Sequence, residues 1–409
     1  MRRGLDSWLL LLCLSRTFMT LIFLTYAASL TVLRSAWGMS GTAAGSISTG
    51  FQFGFALSLL GCSWLADRVS ARRVFLVSSG LAVVTALAFA LFARSYVSGL
   101  VLFTLVAFSQ GGTYTTAIMM VADRYEPERR GAALGWLIAS SSLGSACSLL
   151  IAGLTLPLGG YPLTFLVTAA GPLLGLMLGW IALRSTPNVV HHRGGEMHFR
   201  AEVLRNPRAV RLIIGYIFHS WELLAMWAWT PAFLAAGLAA SGSGAGRAAA
   251  GGAFVASSFH IMGLFASFTM GRLSDRLGRR TVLLGLAAIS TACAFAIGWL
   301  VATPAAIVVA VGAVFAFTAL GDSPVLSTAL TEAVRPAYLG AALAVRSFLG
   351  FGAGAIAPLV FGAVLDATNP PGAAPATWGW AFTALGLGGL IATASAYSMR
   401  SVSGAPRSP

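Results

Sequence analysis

Four charged side chains stand where an ionised group is hardest to keep. Glu222, Asp322, Arg16 and Arg346 each lie inside a long apolar run of the chain. An ionisable residue in such a setting is costly and by default marks a substrate, ion or proton pathway. A carboxyl group in low dielectric keeps its proton to higher pH, which makes Glu222 a candidate for proton exchange. His219 lies three residues earlier, on the same helical face, and histidine titrates in the physiological range. The two residues suit a proton site; the plainer alternative is a His–Glu hydrogen bond that staples helices. Asp322 precedes Ser323-Pro324, and a proline in a membrane helix frees a carbonyl that can line a cavity. Asp322 can equally be a buried partner for Arg346. Arg16 and Arg346 sit about eight residues, roughly 12 Å of helix rise, inside their runs, deeper than easy snorkelling. Two such guanidiniums can clamp a carboxylate or similar anion. The competing reading is internal neutralisation, Arg346 by Asp322 and Arg16 by an acid such as Asp6.

These residues need membrane helices to hold them. The chain of 409 residues is 57% hydrophobic and only 9% charged, with a mean hydropathy of +0.83. A soluble domain carries about a quarter charged residues. Spanning the hydrocarbon layer takes about 20 apolar residues, and twelve runs qualify. They cover about 8–33, 44–65, 74–93, 98–121, 132–155, 162–183, 210–237, 252–273, 281–301, 305–329, 339–364 and 377–398. Glu222 lies eleven residues beyond Arg211, about 16 Å along its helix, near the middle of the bilayer.

The net charge of +14 does not point to nucleic acid, because the arginines fall in short breaks between runs rather than on a soluble face. With both termini cytoplasmic, the outside loops hold only Arg34, Arg94 and Arg247, as the positive-inside rule requires. The longest polar break, from Ser185 to Pro207, divides the chain into an N-terminal half, 1–184, a cytoplasmic linker, 185–209, and a C-terminal half, 210–409. His191, His192 and His198 in the linker lack partner cysteines or carboxylates and read as solvated, so no metal is expected. Cys13, Cys62, Cys147 and Cys293 sit in apolar runs at unrelated spacings and read as packing residues. No phosphate-cradling pattern is present, so no cofactor is expected and energy must come from an ion gradient; the two acids in the spans allow H+ or Na+, and His219 beside Glu222 favours a proton gradient.

The two halves repeat each other, a signature of many transporter folds. Ser63-Trp-Leu-Ala-Asp67-Arg68-Val-Ser-Ala-Arg72-Arg73 corresponds to Gly271-Arg-Leu-Ser-Asp275-Arg276-Leu-Gly278-Arg279-Arg280, and Asp123 through Leu134 corresponds to Glu332 through Leu343. The second copy fits the loop pattern G-x-L-x-D-R-x-G-R-R in full, and the first fits it with Ser63 for Gly and one extra residue. In these motifs the chain resembles the major facilitator superfamily. The resemblance implies an all-α membrane protein of twelve transmembrane helices in two pseudo-symmetric six-helix bundles. It also implies gating roles for Asp67, Arg68 and Asp123, with Asp275, Arg276, Arg279, Arg280 and Glu332 as the second set. In each set the arginine after the aspartate would pair with the acid at the end of the fourth helix of its half. The bland reading of these charges is topology anchoring and helix capping.

The resemblance further implies that the first, fourth, seventh and tenth helices line a central cavity, which would place Arg16, Glu222 and Asp322 on it. Superposing Asp67 on Asp275 sets Gln52 opposite His260, and His260 joins the candidate proton groups. Tyr26, Gln110, Tyr114, Trp221 and Trp227 complete a candidate substrate site of hydrogen-bonding and stacking groups. The glycines at 350–354 and 131–144 read as close-packing devices. Drug antiporters of the family carry a basic residue three positions before a Gln-Gly pair; here Gln110-Gly111 is preceded by Ala107. The expected function is proton-coupled symport of a small organic solute, preferentially an anion such as a carboxylate, by a monomer in the bacterial inner membrane. Proton-antiport efflux of amphipathic cations is the alternative. A non-transporting sensor or assembly factor on the same fold is a third, for which the linker offers no docking feature.

Overall fold

The computed structural model describes residues 6–188, 203–370 and 376–399. The linker histidines 191, 192 and 198, and the arginines at 2, 3, 193, 200, 400 and 407, lie outside them. Every regular element among the described residues is a helix. The first apolar run is broken. Helix α1 (Ser7–Met19) starts at Asp6, whose carboxylate accepts the Leu9 N–H, passes through a 3₁₀ turn at Thr20–Ile22, and resumes as α2 (Thr25–Ala36). Neither Pro nor Gly causes the break. The Gln110 side-chain amide donates to the Met19 carbonyl at 2.8 Å, and a side chain inserted into the carbonyl ladder is a known cause of helix interruption.

Helix α3 (Gly41–Val69) turns into α4 (Ala71–Phe92), followed by α5 (Tyr96–Arg124) and α6 (Pro127–Leu183). The last has 57 residues and is broken at Gly159 and Gly160, the latter with φ +63°, which matches the two runs expected on either side. The second half contains α7 (Pro207–Ala240), α8 (Ala245–Leu277), α9 (Arg279–Ile297), α10 (Ala305–Ala333), α11 (Pro336–Thr368) and α12 (Gly379–Ser398). With α1–α2 taken as one helix and α6 as one, eleven helices among the described residues are long and apolar enough to cross a membrane. Outward-facing Phe92, Leu154, Leu158 and Val84 are 61% or more exposed. Large apolar side chains turned outward along many helices fit a bundle surrounded by lipid.

The repeat is visible in the turns. Between α8 and α9 the chain reverses at Gly278 with φ +86°, and between α3 and α4 at Ser70 with φ +136°. Only glycine adopts such a φ without penalty. Ser70 is held there by its hydroxyl, which accepts from the Arg73 N–H and donates to Asn188 at 2.9 Å. The extra residue of the first motif copy thus follows a turn made at the same place by a strained serine.

The loops carrying the Asp-Arg motifs form one end of the bundle, here called the basic end; the other is the far end. The halves meet through α3 on α11, α6 on α8, and α2 on α7 and α8. Small residues permit the approach. A Cβ added to Gly45 would collide with the Pro358 carbonyl, and one on Gly153 would stand 2.9 Å from the Phe254 ring. The glycine-rich stretches expected to pack closely do so only in part. Gly350 abuts Tyr216, Gly354 the Ser220 backbone and Gly144 the Thr17 carbonyl, whereas Gly131, Gly135 and Gly352 face open space.

Candidate functional site

Arg16 leaves α1 in its last turn and is 3% exposed. Its Nη1 donates to Thr113 Oγ1 at 2.8 Å and its Nε to Ser141 Oγ at 2.9 Å. The guanidinium lies 5.0 Å from the Tyr114 ring centre and 5.8 Å from that of Phe23. All of these partners are neutral. Asp6, the acid expected to neutralise it, is engaged elsewhere: it caps α1 and accepts the Tyr125 hydroxyl at 2.8 Å. Burial pushes the Asp6 carboxyl up, but the Leu9 N–H, the Tyr125 hydroxyl and the nearby Arg124 and Arg129 outweigh it and hold the group below its ordinary value.

Arg346 on α11 makes a similar arrangement in the second half, although the repeat does not align it with Arg16. It is half-buried, donates to Ser327 Oγ on α10 at 2.6 Å, and lies 4.1 Å over the Tyr216 ring of α7. The two halves thus present the same device, an arginine resting on a tyrosine face and held by hydroxyls. Tyr114 lies within electrostatic reach of Arg16, Tyr216 and Arg346, so the two devices converge on one region between the halves.

Asp322 does not neutralise Arg346. Its Oδ1 stands 2.8 Å from His219 Nδ1, with both side chains nearly enclosed. The expected His219–Glu222 pair is not formed: although the two residues share one side of α7, each side chain is taken up by a different neighbouring helix. His219 turns toward α10, whereas Glu222 faces Ser290 and Cys293 on α9. Glu222 is 5% exposed and one of its carboxyl oxygens is buried without a hydrogen-bond partner among the described residues. It faces α9, with Asp322 of α10 within its electrostatic reach.

Several candidate substrate residues make contacts within the bundle. The Tyr26 hydroxyl, 1% exposed as a residue, donates to the Ala44 carbonyl at 3.0 Å. Trp221 donates to the Ala384 carbonyl of α12 at 3.3 Å and fills the space over Gly388. Gln110 spends its amide on Met19, next to Arg16, and leaves its Oε1 buried and unpartnered among the described residues. Gln52 is half-buried on α3, while His260, buried on α8, pairs its ring with Trp227 at 5.3 Å. His260 and Trp227 line a narrow cavity with Leu149, Thr230 and Phe259. Ser141, Tyr216, Ser290 and Ser327 join the site without having been expected there. Only Tyr216, three residues before His219, carries a helical-spacing signal; the three serines carry none.

At the basic end, Arg279 bridges Asp275 at 2.6 Å and Glu332 at 2.9 Å, and Arg208 stands 3.7 Å from Glu332. The expected Arg276–Glu332 pair is replaced by Arg279. The reversal at Gly278 brings Arg279 back beneath α8, while Arg276 on the last turn of α8 is exposed. Arg280 donates to the Tyr397 carbonyl of α12 at 3.0 Å. In the first half Arg68 stacks on Trp64 at 3.5 Å, Asp67 is half-buried at the end of α3, and Asp123 lines a surface cavity with Arg72 and Arg124.

Residues 9–257 match the family model of the Major Facilitator Superfamily. The structure is similar to that of a mutant of the nucleoside transporter NupG, with a TM-score of 0.75 at 15% identity over 95% of this chain and 99% of that one. It is likewise similar to a bacterial homologue of the human lysosomal transporter Spinster, inward-facing and unoccupied, with a TM-score of 0.74 at 18% identity over 96% of this chain and 97% of that one. No curated protein matches the sequence. At these identities the solved structures speak for the fold alone, whereas the family match covers more than half of the chain. The chain belongs to the Major Facilitator Superfamily and is a multi-pass membrane transporter of a small solute.

Proposed function

We propose that this transporter is a proton-coupled symporter of a small organic anion, a carboxylate being the favoured class. The observation that carries the proposal is Arg16, a buried guanidinium whose partners among the described residues are all neutral. A buried charge without a counter-charge costs several kcal/mol, and a carboxylate arriving between Arg16 and Arg346 would recover that cost with charge-assisted hydrogen bonds. The His219–Asp322 pair supports proton coupling on the other side of the same region. Protonation there would alter the local charge by one unit as the anion enters or leaves. Glu222, on the α9 side, is a second carboxyl group within electrostatic reach of Asp322.

The 57-residue α6, broken at Gly159 and Gly160, is about 85 Å of helix by rise, nearly three times the hydrocarbon thickness. It supports two crossings, hence twelve in all, with both termini cytoplasmic and the basic end inside by the arginine bias. The chain works as a monomer in the bacterial inner membrane, with the proton gradient as its energy source. Alternating access is rocking of the two halves about this mid-membrane site. Efflux of amphipathic cations draws less support, because Trp221 is committed to α12 and Glu222 faces α9.

The test is solute flux into proteoliposomes under an imposed pH gradient, with a carboxylate panel set against cationic dyes. Accumulation of a carboxylate driven by an acidic exterior is expected. Dye extrusion with no carboxylate uptake would overturn the proposal.

A further inference from the structure

Asp366, near the end of α11, belongs neither to the anion site nor to the basic-end charges. Its Oδ1 accepts the Gly41 N–H at 2.6 Å, and its Oδ2 accepts both the Thr42 N–H and the Thr42 hydroxyl at 2.7 Å. The acceptor belongs to one half and the donors to the other. A helix begins with N–H groups that have no partner inside it. In α3 the Ser40 hydroxyl takes the Ala43 N–H, and Asp366 takes the Gly41 and Thr42 N–H groups that Ser40 cannot reach. The first turn of α3 is therefore completed by the opposite half, and the carboxylate sits at the positive end of a 29-residue helix.

The surroundings are built for this contact. Gly41 and Gly362 approach so closely that a Cβ on either would meet the backbone of the other, and Gly45 abuts Pro358 one turn further along. Thr49 donates to the Ala355 carbonyl at 2.6 Å, and Phe55 meets Phe351 edge-on at 5.9 Å. The α3–α11 seam is thus backbone against backbone at the far end, with one ionic fastening at its tip. The far-end turns of α3, α7, α10 and α12 contain no titratable side chain, so no other carboxylate on those turns can take over this role.

We propose that Asp366 is the latch that holds the far end of the transporter shut, by capping α3 from across the interface. When the halves rock apart, the Gly41 and Thr42 N–H groups and the carboxylate are all released at once, at a depth where water can replace them. Opening is therefore reversible and all-or-none at this point. The latch biases the empty carrier toward the conformation open at the basic end, and solute and proton at the central site must outweigh it to expose the far side.

The experiment is a distance measurement between spin labels at Val97→Cys on α5 and Ile307→Cys on α10, both exposed far-end positions of opposite halves. It is made in lipid nanodiscs after replacement of Cys13, Cys62, Cys147 and Cys293. Asp366→Asn removes the charge and one acceptor while keeping the shape; the far-open population should rise about tenfold relative to the parent. Thr42→Val removes only the hydroxyl and should raise it about two- to fivefold. If Asp366→Asn does not fold, Thr42→Val gives the reading. Parental distance distributions in the variants that fold would overturn the latch, whatever the carboxylate flux assay shows. Loss of carboxylate flux with an intact latch response would instead count against the anion reading alone.

Discussion

The two halves carry the same arginine-on-tyrosine device but surround it differently. Arg16 in the first half is buried among Thr113, Ser141 and Tyr114, and among the described residues its contacts include no acid. Arg346 in the second half is half-buried on Tyr216 and Ser327, and the helices beneath it carry His219, Asp322 and Glu222. A repeated fold has been given an unequal charge. On the proposed reading, the first half offers a cation for an anion to meet, and the second half holds the groups that would exchange protons. A rocking motion that changes how closely the halves approach would then change the field at the proton groups as it changes access to the anion.

The asymmetry between the halves is largest at Arg16. Arg16→Ala should weaken carboxylate binding by about 10- to 100-fold, the loss of two charge-assisted hydrogen bonds, with Arg346→Ala losing less because it is more open to solvent. Equilibrium binding of a labelled carboxylate to purified protein reads both, and equal losses would remove the asymmetry. Asp322→Asn should abolish accumulation driven by a pH gradient while leaving carboxylate exchange at equal pH. Retained accumulation would move the proton site away from the His219–Asp322 pair. Glu222→Gln should reduce accumulation by a smaller factor, since Glu222 faces α9; an effect as large as that of Asp322→Asn would make Glu222 an equal member of the proton site.

The smallest effects concern residues that only hold the frame. Tyr26→Phe should cost about 1 kcal/mol of stability through its lost hydrogen bond to Ala44 and leave carboxylate affinity unchanged, as thermal unfolding and binding would show together. Asp6→Asn should lower stability slightly at neutral pH, by less than about 1 kcal/mol because such a pair is partly solvated, read as a small fall in unfolding temperature. A carboxyl held below its ordinary value stabilises above that value, near 3.8, and loses the contribution as pH falls further. The difference between Asp6→Asn and the parent should therefore vanish at the acid end of the range and not at the alkaline end.

Much of the frame is legible in the residues alone. Apolar runs of about twenty residues, glycines at reversals such as Gly278 and the paired Asp-Arg loops are local signals, set by hydropathy and backbone sterics over a few residues. The break in the first run is not legible, because its cause is Gln110, 91 residues away from Met19. Asp366 carries no signal for a similar reason. It lies just beyond the expected end of its run, where an acid looks like an ordinary helix terminus, and its partners are 325 and 324 residues away.

By itself, the order of residues determined that this chain is a bundle of membrane helices in two related halves, and that a few charges had been kept inside it at a cost. Those are consequences of transfer energies and helix geometry, which are read along one dimension. Only the tertiary structure decided that His219 belongs with Asp322 and not with Glu222, that Arg279 and not Arg276 holds Glu332, and that Arg16 rests on hydroxyls rather than on Asp6. The first depends on how α7 is rotated about its own axis, the second on the reversal between α8 and α9, and the third on where the start of α1 packs. The rotation of α7 is set by packing against neighbours distant in the chain, and a one-position change in facing exchanges one partner for another.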